Sequence, residues 1–256
     1  MIHPTALIDP SAKLADSVEV GAYSIIGKDV EIGEGTWVGP HVVIQGPSKI
    51  GKENKLFQFS SIGEIPQDKK FHGEKSFLEI GDRNTIREFS TINRGTDDGG
   101  GTTRIGDDNW LMAYIHIAHD CQVGNNTIFA NNASLAGHAS IGDFVILGGF
   151  TMVHQFCKIG EHAFCGMGSA ISKDIPPYIM VNGSPAHAHG LNSEGVKRKG
   201  FSKEALKALK EAYKIIYRSN NTKEIAIKSL QSLAEQFPEV ENMRKFIENS
   251  ERGILR

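Results

Sequence analysis

Residues 116–121 read HIAHDC, two histidines three apart with Asp120 directly after the second, His119. An imidazole titrates near neutrality, so a histidine here could take a proton from a hydroxyl as general base. A carboxylate beside it could hold the ring in one orientation. Two histidines and a carboxylate could equally ligate zinc, or could be surface polar groups with no chemistry. The spacing leaves all three readings open, so the elements that position these residues have to decide.

A repeat sets those elements. Steps of six from Ile2 land on Ile8, Leu14, Val20 and onward to Ile62, resume at Ile80, Ile86 and Ile92, and continue after a one-residue shift from Ile105 to Ile171. Of these 26 positions 24 are Ile, Leu or Val, and glycine follows 13 of them. A period of six fits neither a helix nor a simple alternating strand. It predicts short strands joined by tight turns, three to a coil, so that every 18 residues the chain returns above itself. The aliphatic side chains then stack inside a narrow prism whose coils lie about 4.8 Å apart. No coil can bury its apolar face alone, so stacking stabilises the array. Glycine, Asn and Asp are expected at the corners, where tight turns need positive φ.

The reading is an all-β parallel β-helix over residues 1–186, followed by a C-terminal α-helical subdomain over 187–256. Two polar segments leave the period, 64–77 and 94–104, as loops of the kind that carry function on a rigid scaffold. In the C-terminal part, Ser202 after Phe201 and Thr222 read as N-caps, Pro238 as a first-turn residue, and Gly253 as lying beyond the last helix.

The coil length then places residues in space. Eighteen beyond His119 is Gly137, and eighteen beyond that is Gln155. His138 and His154 flank this column, so one strip collects His116, His119, Asp120, Gly137, His138, His154 and Gln155. Adjacent strand residues face opposite ways, so Asp120 can orient His119 only where a turn intervenes. The Gly137 N–H, unshielded by a side chain, could stabilise an oxyanion. Base, orienting carboxylate and oxyanion donor together suit acyl transfer by direct attack of an acceptor hydroxyl, with no activated serine or cysteine in view.

Composition narrows the setting. A formal net charge of −2 gives no bulk case for nucleic acid or membrane binding. No apolar run approaches the roughly 20 residues of a membrane span, and the N-terminus lacks the pattern of a signal peptide. Three cysteines without a CxxC point to a reducing compartment, the cytoplasm, and away from a thiolate zinc site.

HIAHDC together with QFSSIGEIPQDKKFHGE, NRGT, NNASLAGH, VHQFCKIG and NSEGVKRKGFS resembles the UDP-N-acetylglucosamine O-acyltransferases that start lipid A synthesis, over essentially the whole chain. The resemblance implies a left-handed β-helix and a homotrimer with sites between neighbouring subunits. It implies transfer of an (R)-3-hydroxyacyl group from acyl carrier protein to the 3-hydroxyl of UDP-GlcNAc. No cofactor and no metal are implied, the donor being carried on the phosphopantetheine of acyl carrier protein. His119 is then the general base beside Asp120, and Gly137 the oxyanion donor. Gln67, Asp68 and Lys70 are implied sugar-nucleotide contacts, and His116, His138, His154 and Gln155 line the site. Asn192, Glu194 and Arg198 are implied contacts to nucleotide, phosphates or acyl donor. A guanidinium suits a diphosphate through its paired donors, and Lys197, Arg198 and Lys199 offer a basic face to acidic acyl carrier protein.

Two positions differ from common members of that family. The chain reads Asn93-Arg94-Gly95-Thr96 where the family often has histidine first. Met167 stands where some members carry glycine at the far end of the acyl groove, which implies a shorter acyl chain, nearer ten carbons than fourteen. Other readings are a hexapeptide-repeat sugar N-acyltransferase, a zinc-dependent β-helix like the hexapeptide carbonic anhydrases, and a scaffold without chemistry. The N-acylating relative usually has a globular domain before its repeat, whereas the hexads here begin at Ile2.

Overall fold

The computed structural model describes residues 1–256. Strands of mostly two to four residues run in order through three sheets, and up to the last coil each strand pairs in parallel with those three before and three after it. The first sheet runs from Leu7–Ile8 to Ala170–Ile171, the second from Lys13–Leu14 to Lys158–Ile159, and the third from Glu19–Val20 to Ile179–Asn182. This is the parallel β-helix expected from the hexads, left-handed as the family resemblance implies.

Every hexad position from Val20 to Ile171 is buried. Each such side chain contributes about 1.5–3 kcal/mol by leaving water. Ile2 is exposed, and Ile8 and Leu14 only half-buried, because no coil lies beneath the first one. Buried amides stack beside the core: Asn54 Oδ1 accepts from Asn84 N–H, Asn84 Oδ1 from Asn109 N–H, and Asn109 Oδ1 from Thr127 N–H, at 2.8–2.9 Å.

The corners differ from the expectation of glycine, Asn and Asp. Most positive-φ corner residues carry large side chains, including Tyr23, His41, Phe59, Phe89, Tyr114, Phe144, Phe156 and His162. Stacking between coils supplies the reason: Tyr23, His41, Phe59, Phe89 and Tyr114 form one ladder with ring centroids 4.8–5.4 Å apart. The hexad glycines serve close approach instead. A Cβ on Gly33 would lie 2.8 Å from the backbone of Gly51 in the next coil.

Both loops leave from the corner between the first and second sheets, and register survives them, with Ile62 opposite Ile92 and Ile92 opposite Ile117. The next corner in that column is His119-Asp120.

The third sheet continues past residue 186, because His187–Leu191 pairs antiparallel with Ile179–Asn182. Helices α1 (Ser193–Arg198), α2 (Lys203–Tyr217), α3 (Lys223–Ala234) and α4 (Pro238–Glu248) follow. Ser202 and Thr222 cap α2 and α3 through their side chains, and Pro238 opens α4. The tail after α4 is tied back to the last coil by Ser250 Oγ donating to the buried Asp174 at 2.7 Å. No helix is long and apolar enough to cross a membrane.

Candidate active site

His119 and Asp120 occupy one corner, and the corner solves the problem of facing. Asp120 adopts φ 61°, which turns its side chain back toward its neighbour. His119 Nδ1 lies 2.8 Å from Asp120 Oδ2. An ionised carboxylate only accepts, so Nδ1 carries the proton and Nε2 keeps its lone pair free for a substrate hydroxyl.

Asp120 is 4% exposed and fully engaged. Thr96 N–H donates to Oδ1 at 2.8 Å and Thr96 Oγ1–H to Oδ2 at 2.7 Å. Its own N–H donates to Thr103 Oγ1 at 2.8 Å. Burial pushes its pKa up, but the hydrogen bonds from His119 and Thr96 outweigh that and hold it below the ordinary carboxylate value.

Gly137 lies one coil on, as the register His116 opposite Ser134 requires. The His119 ring rests so closely over it that a Cβ there would stand 2.6 Å from Cε1 and Nε2. The Gly137 N–H donates to no acceptor within the chain. His138 follows, its ring edge-on to His119 with centroids 5.1 Å apart and stacked on Phe156 at 4.3 Å. His138 Nε2 is 3.8 Å from Asp120 Oδ2. Burial, chiefly, lowers the pKa of His138 and of His116, and the neighbouring His119 adds to this. His116 Nδ1 bonds Thr91 Oγ1 at 2.7 Å.

The loop 64–77 returns over this corner. Asp68 Oδ2 reaches to 4.0 Å from His119 Nε2. Gln67, His116, His119, Gly137 and Met152 line a cleft of about 350 Å³. Asp68 and Lys70 also line a polar hollow of about 700 Å³ with Thr96, Asp97 and Asp98 of the second loop. Asn93 is buried and serves as a brace, with Nδ2 donating to Ile65 carbonyl at 2.9 Å at the root of the first loop. Arg94 beside it donates to the Gly46 carbonyl.

Other residues named from sequence lie apart from this cleft. Gln155 is exposed in the His119–Gly137 column, and His154 faces the C-terminal tail, its Nδ1 3.4 Å from Arg252 Nη2. Asn192 is occupied structurally: it caps α1 by accepting from Gly195 N–H and donates to His162 carbonyl at 2.9 Å. Glu194 pairs with Lys197 at 2.8 Å, while Arg198 is exposed with no carboxylate partner. These three sit at the corner between the second and third sheets, not at that of His119. Met167 is 79% exposed at the corner between the third and first sheets.

Sequence reasoning missed Thr91, Thr96, Thr103 and Met152. Column arithmetic reaches Met152, two coils beyond His116. Thr96 and Thr103 lie in or beside a loop without period, where no such arithmetic applies.

The arrangement is a buried carboxylate, an oriented imidazole with a free Nε2, and an unpaired backbone N–H beneath it, which is the equipment for moving a hydroxyl proton as a carbonyl is attacked. Comparison with known proteins bears on the family. Sequence profiles described as UDP-N-acetylglucosamine O-acyltransferase, domain 2, and as bacterial transferase hexapeptide match residues 174–255 and 102–137. An acyl-(acyl-carrier-protein)–UDP-N-acetylglucosamine O-acyltransferase of Thiobacillus denitrificans is 60% identical over 100% of this chain and 99% of its own. The crystal structure of the Moraxella catarrhalis UDP-N-acetylglucosamine O-acyltransferase superposes with a TM-score of 0.98 at 50% identity, covering 100% of this chain and 99% of that one. The Arabidopsis UDP-N-acetylglucosamine acyltransferase does so at 0.87 and 36%, with 100% of each chain covered. On full-length identity and fold, the chain belongs to the UDP-N-acetylglucosamine O-acyltransferase family.

Proposed function

We propose that this chain transfers an (R)-3-hydroxyacyl group from acyl carrier protein to the glucosamine 3-hydroxyl of UDP-GlcNAc, the first step of lipid A biosynthesis. The observation that carries the mechanism is the His119 ring oriented by Asp120 and packed over Gly137, whose N–H has no acceptor within the chain. His119 Nε2 takes the proton of the 3-hydroxyl as that oxygen attacks the thioester carbonyl. The carbonyl oxygen becomes an oxyanion and is stabilised by the Gly137 N–H. Collapse re-forms the carbonyl, breaks the C–S bond and expels the phosphopantetheine thiolate, which takes the proton back from His119.

Transfer is direct, without a covalent acyl-enzyme. The thiol nearest the site, Cys121, is fully buried and bonded inward to the Ala136 carbonyl at 3.3 Å. Burial pushes its pKa up to about 12, which leaves it a poor nucleophile. Among the histidines and carboxylates, His119, Asp120 and His138 place their ligand atoms within 4.8 Å of one another. A metal reading competes poorly there, because both Asp120 oxygens already accept from Thr96 and His119.

Gln67, Asp68 and Lys70 contact the sugar nucleotide, and His116 and His138 line its site, with His154 and Gln155 one coil beyond Ala136 and Gly137 at its margin. Arg198 holds the diphosphate, with Asn192 and Glu194 shaping that end. Since these last three occupy a different corner from His119, a second copy of the chain must bring them in. A homotrimer with sites between prisms meets that need. We place the enzyme in the cytoplasm, where acyl carrier protein is available, and assign it no cofactor beyond the donor's phosphopantetheine.

The test is an acyl-transfer assay with UDP-GlcNAc and hydroxyacyl carrier proteins of graded length. Wild type is expected to acylate the sugar, and His119→Ala to lower kcat by about 10²–10⁴ with the fold intact. No product from wild type would overturn the function, and a fully active His119→Ala would overturn the assigned base.

A further inference from the structure

Asp120 orients His119, but a carboxylate is free to rotate about its own Cβ–Cγ bond unless something fixes it. Here one residue does so twice. Thr96, itself 5% exposed, places its N–H on Oδ1 at 2.8 Å and its hydroxyl on Oδ2 at 2.7 Å. A second observation shows the hydroxyl diverted from another use. Thr96 stands at the N-cap of the short 3-10 turn Asp97–Gly99, with extended backbone at φ −129° and ψ 160°. A threonine there ordinarily caps the turn with its side-chain oxygen, yet Thr96 makes no side-chain cap bond. The loop is shaped around this contact. The backbone N–H groups of Gly99 and Gly101 both return to the Thr96 carbonyl, at 3.1 and 2.8 Å. Gly95 and Gly99 approach the Asp120 carboxylate so closely that neither has room for a Cβ.

The alternative that this clamp prevents is also visible. His138 Nε2 lies only 3.8 Å from the oxygen that serves His119. A carboxylate released from Thr96 can swing to His138, leaving the His119 ring without the partner that fixes its tautomer. We propose that Thr96 is a positioning residue for acyl transfer, acting through Asp120 to keep the proton of His119 on Nδ1 and its Nε2 free. The inference rests on the catalytic reading given above.

The experiment compares wild type with Thr96→Val and Thr96→Ser, using UDP-GlcNAc and a hydroxyacyl carrier protein. It also follows the His119 ring nitrogens by NMR. Thr96→Val is expected to lower kcat by about ten- to a hundredfold, the effect of losing a hydrogen bond to a charged group. KM for both substrates should stay within about twofold of wild type. Thr96→Ser should restore kcat to within about threefold. In the NMR arm, the Nδ1–H tautomer should dominate in wild type and Thr96→Ser and mix with Nε2–H in Thr96→Val. Should Thr96→Val not fold, Thr96→Ala, which keeps the backbone donor, is read in the same way. A folded Val or Ala variant with wild-type kcat, a rise in KM at constant kcat, or an unchanged tautomer would each overturn the inference. An inactive wild type would instead overturn the catalytic reading, and the NMR arm would still judge the clamp.

Discussion

Asp120 follows His119 in the chain, yet the two side chains meet at 2.8 Å, because the corner turns the backbone through φ 61° between them. In the sequence the pair was visible and its facing was not, since period-two reasoning sends neighbours to opposite faces. The Gly137 N–H was legible for the opposite reason: an 18-residue coil fixes what lies above what. The residue scale also sets a pH dependence. Burial depresses the folded-state pKa of His116 and His138 below the ordinary value near 6.5. In the unfolded chain both bind protons more readily, so stability is present above about pH 6.5 and is lost as pH falls below it. Asp120, whose folded pKa is also depressed, adds a loss only at lower pH, below the ordinary carboxylate value. The urea midpoint should therefore be lower at pH 5.5 than at pH 7.5. His116→Gln, which cannot charge, should narrow that difference, and an equal difference in the two proteins would show that His116 is not among the groups responsible.

At the scale of elements, the hexads made the prism readable because each buried position recurs at fixed spacing and has a single place to point. The corners were less readable. Aromatic side chains occupy left-handed backbone there, which intrinsic preference disfavours, and ring stacking between coils outweighs it. The two loops were recognisable as departures from the period, but nothing in EIPQDKKFHGEKSF or RGTDDGGGTTR states that one returns over His119 and the other grips Asp120. Met167 is a case where element geometry makes a proposed limit on the acyl chain testable. Its corner adjoins the first sheet three coils beyond His119, through the registers Ile117–Leu135, Leu135–Val153 and Val153–Ile171. Three coils rise about 14 Å along the prism axis, and the two corners are opposite edges of the first sheet, so an acyl chain whose carbonyl lies at His119 would run up and across that face to reach Met167. The exposed Met167 side chain would block further extension. Met167→Gly is expected to shift kcat/KM toward longer hydroxyacyl donors by about ten- to a hundredfold, the usual weight of apolar pocket contacts. Unchanged donor preference across the panel would remove Met167 as the limit.

The whole molecule has an unfinished surface. The ladder at the corner between the third and first sheets leaves Phe59, Phe89 and Tyr114 about half exposed, with Phe150 further along the same edge. A run of aromatic rings of this length on one edge is the kind of surface that another protein covers, which supports the proposed trimer. The adjoining face carries His116 and Met152 of the cleft, so a neighbouring prism seated on this edge would also close the site. On that proposal the trimer and the chemistry depend on one another. Phe89→Asp tests the link with little risk to the coil, because aspartate tolerates the left-handed backbone that Phe89 adopts at φ 57°. A charge there has to be desolvated if the ladder is covered, and it stays hydrated if the ladder faces water. Light scattering should report a trimer of the 27.9 kDa chain for wild type and smaller species for Phe89→Asp. Acyl transfer should fall in proportion to the trimer lost, although residue 89 touches neither His119 nor Asp120. A trimeric and fully active Phe89→Asp would place the interface on another face of the prism.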